Sequence, residues 1–126
     1  RFESDVEVVR LSEGRLIGRR GANQGRTLVL GPSARVRIGG EDGIDVIAIS
    51  IRQQCTDPAV LEHFGIDVGK LRGLIVKSRG HFRAGFDEFF GDSQIVEVDA
   101  PGLTTQGLHH LPYRNIPRPI YPLDPL

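Results

Sequence analysis

The chain has 126 residues, 39% hydrophobic and 25% charged, and its 16 basic and 16 acidic side chains cancel to a formal charge of zero. That size and mix suit one compact globular domain, and the lack of a basic excess argues against a nucleic-acid or membrane-surface binder. No apolar run approaches the ~20 residues of a membrane span, and the one cysteine, Cys55, leaves no internal disulfide and fits a reducing, cytoplasmic setting.

The chain begins on Arg1-Phe2-Glu3-Ser4 and holds no methionine, so the expectation is a piece of a longer protein. Residues 1–43 read as short strands parted by glycine turns. Val6, Val8 and, after Val9, Leu11 alternate with polar residues, and Ser12-Glu13-Gly14 turns the chain. Arg15 to Gly18, Thr27 to Leu30 and Ala34 to Ile38 are further strands, with Gly31-Pro32-Ser33 as a turn. The pattern of this half is antiparallel. Gly18-Arg19-Arg20-Gly21-Ala22-Asn23-Gln24-Gly25 looks like a phosphate loop, but it lacks G-K-[ST] and no helix pattern follows it. It reads as a mobile hairpin loop.

The rhythm changes after Gly43. Ile44 to Ile51 is mostly apolar, the signature of a buried strand. Asp57-Pro58 starts a helix, with aspartate at the cap and proline at the first helical position. Val60, Leu61 and Phe64 share one face, and Gly65 ends it. Leu74-Ile75-Val76 is a second buried strand. His81 to Phe90 is a second helix, and the i, i+4, i+7 spacing of Phe82, Phe86 and Phe89 places them in the core rather than around a cofactor. Gln94 to Val98 is a third strand. The expected fold class is therefore α/β with α+β character: antiparallel strands over 1–43, then a β-α-β-α-β unit over 44–111 with a parallel sheet and right-handed crossovers. From Pro112 onward five of the eight prolines fall within fifteen residues, and residues 112–126 read as an extended Pro-rich arm.

In a parallel α/β sheet, ligands gather beyond the carboxyl ends of the strands. Three such ends are expected here. The first carries Ser50, Arg52, Gln53 and Gln54; the second Lys77, Ser78, Arg79 and His81; the third Asp99, Pro101, Gly102, Thr104 and Thr105. The second also opens a helix, whose free N–H groups and positive dipole end favour an anion. A carboxylate or phosphate held by Ser78, backbone N–H groups and Arg83 or Lys77 is one reading. A capping Ser78 with solvated basic neighbours is the other. Ser78, His81 and Asp99 have the residue types of a hydrolytic triad, but no G-x-S-x-G surrounds Ser78. None of His63, His81, His109 and His110 falls in a familiar ligand spacing, so a complete zinc site is not expected within the chain. Cys55 precedes a helix start, which lowers a thiol pKa, yet no histidine partner is evident and it reads as buried.

The run Ile75 to Phe86, IVKSRGHFRAGF, resembles the C-terminal domain of the MlrC-type metallopeptidases, the microcystinase C family. Other segments agree in order: Arg52-Gln53-Gln54 before Asp57, Phe64-Gly65-Ile66-Asp67, Val96 to Gly102, and Leu111-Pro112-Tyr113-Arg114 leading into Arg118-Pro119-Ile120-Tyr121-Pro122-Leu123-Asp124. The resemblance runs from about Ile44 to the end of the chain. It implies the substrate-cleft-forming half of a bacterial zinc-dependent hydrolase that opens peptide or amide bonds, as in linearised microcystin. It places the zinc mainly on a larger N-terminal metal-binding domain absent from this chain, so the chain alone is expected to be inactive and without a metal. It carries over Lys77, Ser78, His81, Phe82 and Arg83 as signature positions. The family pattern often has glutamine before the histidine, where this chain has Gly80. The expected substrate-binding set is thus Lys77, Ser78, His81 and Arg83, with Arg52 and Asp99 as weaker members. The competing expectation is a non-catalytic module that binds an anion or a protein partner through the same cluster.

Overall fold

Short β-rich segments with glycine at the reversals fold into antiparallel pairs, and five strands form close to the four extended segments expected over residues 1–43 and the apolar run from Ile44. The computed structural model describes residues 3–78, 80–98 and 107–125. The strands are β1 (Glu7–Ser12), β2 (Arg15–Ile17), β3 (Thr27–Val29), β4 (Ser33–Ile38) and β5 (Ile44–Ile49). They make two sheets, one of order β1-β4-β5 and one of order β2-β3, and every pairing is antiparallel. The turn at Gly14 needs glycine twice over. Its φ is +65°, and a Cβ there would sit 2.2 Å from the Gly31 carbonyl oxygen.

Two helices follow, α1 (Ala59–His63) and α2 (Arg83–Phe86). Both are too short to be stable through backbone hydrogen bonds alone, so packing holds them. Val60 and Phe64 of the α1 region join Leu28 and Leu30 in one buried cluster. Leu61 joins Ile66, Val68 and Phe86 in a second, against which Phe82 and Phe89 also pack. Ile47 of β5 and Cys55 touch both clusters. The phenylalanine stripe is therefore core.

The expected β-α-β-α-β unit with a parallel sheet is not what forms. Ile44–Ile49 pairs with Ser33–Ile38 as an antiparallel hairpin, closed through Gly39 to Gly43. A hairpin needs only a short turn, whereas a parallel partner needs a crossover of a dozen residues or more. Leu74-Ile75-Val76 makes no strand, and Ile75 is 99% exposed. The second helix is four residues within the expected His81 to Phe90. Gln94 to Val98 follows a 3-10 turn at Asp92–Gln94, also without sheet pairing, and Val96 and Val98 stand in solvent. Short apolar runs that suggested buried strands had no neighbour to pair with.

Nor is β5 buried on both faces. Ser33, Arg35 and Arg37 of β4 and Asp45, Ile47 and Ile49 of β5 share one face of the three-stranded sheet, by register. The opposite face carries the rows Val8–Val36–Val46, Leu11–Ala34–Ala48 and Ile38–Ile44. A bulge between Val8 and Arg10 keeps both Val8 and Leu11 on it. This all-aliphatic face is the exposed one: Leu11 is 73% and Ile44 69% accessible.

The chain divides into two compact units, Arg1–Gly91 and Asp92–Leu126. The first holds both sheets, both helices and both apolar clusters. In the second, the Pro-rich arm closes locally: the Ile120 N–H donates to Asp124 Oδ2 at 2.7 Å, and Arg118 pairs with the same oxygen at 3.3 Å. A pocket of about 300 Å³ lies within this unit, lined by His109, Tyr113, Arg114 and Arg118 among others.

Candidate functional site

Without a parallel sheet there is no shared carboxyl edge to gather the three expected residue sets. Two of them nevertheless meet. The Ser78 hydroxyl lies 3.3 Å from Gln54 Oε1 and donates to it, bridging the segment after β5 and the segment before α2. Lys77, His81 and Arg52 are exposed around this joint in sequence. Arg83 is half-buried, with its guanidinium 5.5 Å from the centre of the Phe82 ring, a cation–π geometry. Gly80 accepts the Arg83 N–H at 3.2 Å and so starts the turn into α2. Asp99 lies outside the described residues. Ser78 therefore directs its hydroxyl proton at a carboxamide, where nucleophilic attack would need a base.

A second serine does meet a histidine. Ser12 Oγ and His63 Nε2 are 2.6 Å apart, and Ser12 Oγ also accepts the Gly14 N–H at 2.9 Å. Burial first, and then the nearby Arg10 guanidinium, hold His63 below its ordinary value, so its neutral imidazole can accept the serine proton. A catalytic triad needs a carboxylate to orient and stabilise the imidazolium. The charged neighbour here is a cation, so the pair ties β1 to α1 instead. Nothing local in the sequence links positions 12 and 63.

The Gly18 to Gly25 loop, expected to be a mobile hairpin, is clasped to the body. Asp57 is 0% exposed. Its Oδ2 accepts the backbone N–H groups of Arg19 at 2.8 Å and Arg20 at 3.0 Å, and its Oδ1 accepts that of Ala59 at 2.9 Å. Asp57 thus caps α1 as expected and holds a loop 37 residues away. Asn23 adds a bond to Thr56 Oγ1 at 2.8 Å. Outside, Arg19 pairs with Glu62 and Glu88, and Arg20 with Asp87 and Glu88. The bond from Arg19 holds the Glu88 carboxyl below its usual range. With its N–H groups turned onto Asp57, this loop does not cradle phosphate.

Two further groups are settled by their surroundings. Burial first, and then the charge of Asp57, push the Cys55 thiol up to about 11, so it is no thiolate nucleophile at neutral pH. Asp45 accepts from Arg35 at 2.6 Å and Arg37 at 3.0 Å, and the Arg35 bond leads in holding it below the usual carboxylate range. Arg35 also donates to the Phe64 carbonyl at 3.1 Å. This is an ion-paired brace under the sheet.

Among the described residues, no three of His, Cys, Asp and Glu gather closely enough to hold a metal ion, and no helix is long and apolar enough to cross a membrane.

Microcystinase C from Sphingomonas sp is 28% identical to the chain over 95 residues. The aligned stretch is 75% of this chain but 18% of that relative's length. No solved structure matches. The family model described as MlrC C-terminus matches residues 1–115. The likeness thus extends over the glycine-punctuated strands before Ile44 and stops short of the last part of the Pro-rich arm. On that match, the chain belongs to the MlrC C-terminus family.

Proposed function

We propose that this chain serves as the C-terminal, substrate-facing part of a zinc-dependent amide or peptide hydrolase similar to microcystinase C, with the metal held elsewhere in a longer polypeptide. The observation that carries the reading is the family match over residues 1–115, together with a relative of which the chain covers 18%.

On this reading the chain's own residues bind and orient. The Gln54–Ser78 joint presents a carboxamide and a hydroxyl, a pair suited to the N–H and C=O groups of an amide substrate. Lys77, His81 and Arg83 lie within a few residues of Ser78 and favour a substrate carboxylate. Arg52, two positions before Gln54, is a weaker candidate for the same wall. Asp99 is a candidate by sequence alone.

The test is His81→Ala in the full-length polypeptide, assayed on a peptide amide. Loss of a ligand-directed hydrogen bond worth about 1.4 kcal/mol lowers kcat/KM roughly tenfold, with metal content unchanged. Unaltered kinetics would remove His81 from the substrate wall. Absence of any hydrolysis by the wild-type polypeptide would instead favour a binding module.

A further inference from the structure

The sheet β1-β4-β5 turns Ile47, Ile49 and all its charged and polar partners toward one face, and leaves the other face wholly aliphatic and toward solvent. The solvated face of a half-exposed antiparallel sheet is ordinarily polar. Arg35, Arg37 and Asp45 pair on the inner face, while Val8, Leu11, Ile44 and Val46 are exposed on the outer face, which carries no polar strand residue. A sheet face that faces solvent without one polar strand residue points to a surface that is covered in the working protein.

We infer that this outer face is the seat of another part of the same polypeptide: an apolar element of the longer chain packs across β1, β4 and β5. Two observations choose this occupant. Three strands spaced ~4.8 Å apart and six residues long present a patch of about 14 by 20 Å, roughly 300 Å². A stable complex of separate molecules needs about 800 Å² per partner, so the patch is too small to hold a second copy alone. A tethered element does not carry the full cost of association, because its effective concentration is high. More than four-fifths of the microcystinase C relative lies outside the aligned stretch, which supplies chain enough to cover the face. The inference rests on the proposed function only in taking the chain as part of a longer polypeptide.

Hydroxyl-radical footprinting of the full-length polypeptide, read residue by residue, tests it. Leu11 and Ile44 should be oxidised about tenfold more slowly in the native protein than in urea, at any protein concentration. Rates within twofold of the unfolded chain would overturn the inference, as would protection that vanishes on dilution, which would identify a second copy. Val46→Asp places a charge in the middle row of the face, on its edge strand β5, without touching the core. It should abolish protection at Leu11 and Ile44 while Phe86 stays protected; retained protection at all three would also overturn the inference. The footprint reads coverage, not turnover. A polypeptide that hydrolyses no amide but shields Leu11 and Ile44 would sink the proposed function and leave this inference standing.

Discussion

Asp57 is a charged residue without solvent contact, and three backbone N–H groups take the place of its water. Asp57→Ala strands all three donors in a dry site, and should cost about 3 kcal/mol or more of unfolding free energy in urea. Asp57→Asn keeps one acceptor oxygen and should lose less. His63 makes a pH-dependent contribution. Its folded value is depressed below the ordinary 6.5, so the unfolded chain binds protons more readily. Stability is therefore fully present above that ordinary value and is lost as pH falls through it toward the depressed one. Between pH 7.5 and 5.5 the melting temperature should fall, and His63→Gln should flatten the slope. The depressed carboxyls of Asp45 and Glu88 add a separate loss of the same sign, beginning near pH 4.

At the scale of elements, α2 shows how packing replaces helix length. A Cβ on Gly85 would lie 2.2 Å from the Thr56 carbonyl oxygen, so only glycine lets this turn approach the start of α1. Gly85→Ala must separate the two segments, and should destabilise the protein by about 2 kcal/mol, measured as a lower denaturant midpoint with an unchanged slope. Local signals made much of this scale legible. Extended patterns and glycine turns mark the first four strands nearly at their observed ends, an apolar run marks β5, Asp57-Pro58 marks α1, and the phenylalanine spacing marks the core. What failed was partner choice. Ile44–Ile49, Leu74-Ile75-Val76 and Gln94 to Val98 are similar apolar runs, but only the first has a neighbouring strand within reach of a tight turn. Nor does alternation say which face of a strand is inward. Val8 and Leu11 follow the pattern of a buried stripe, yet they point away from the core because Arg10 and Ser12 are the residues that meet Arg35 and Ser33.

For the whole molecule, the candidate site was legible as a list of residues and not as an arrangement. Gln54 and Ser78 do meet, 24 positions apart, though through a crossing of irregular segments rather than a common sheet edge. The contacts between Ser12 and His63 and between Asp57 and the Arg19–Arg20 loop span 51 and up to 38 positions, and no local pattern announces them. Family membership reaches what pairwise chemistry does not, since the match spans residues 1–115 in one piece. The Asp57 clasp also has a kinetic consequence. The amides of Arg19 and Arg20 sit in a loop, where exchange with solvent deuterium is ordinarily fast, yet their hydrogens point at a carboxylate that no water reaches. They can exchange only when the loop lifts from α1. Their exchange should therefore be slowed at least ~100-fold, at a rate shared with the Ala59 amide, and free exchange at these positions would show the clasp open in solution. Two protons in an irregular loop would then time the opening of the body itself.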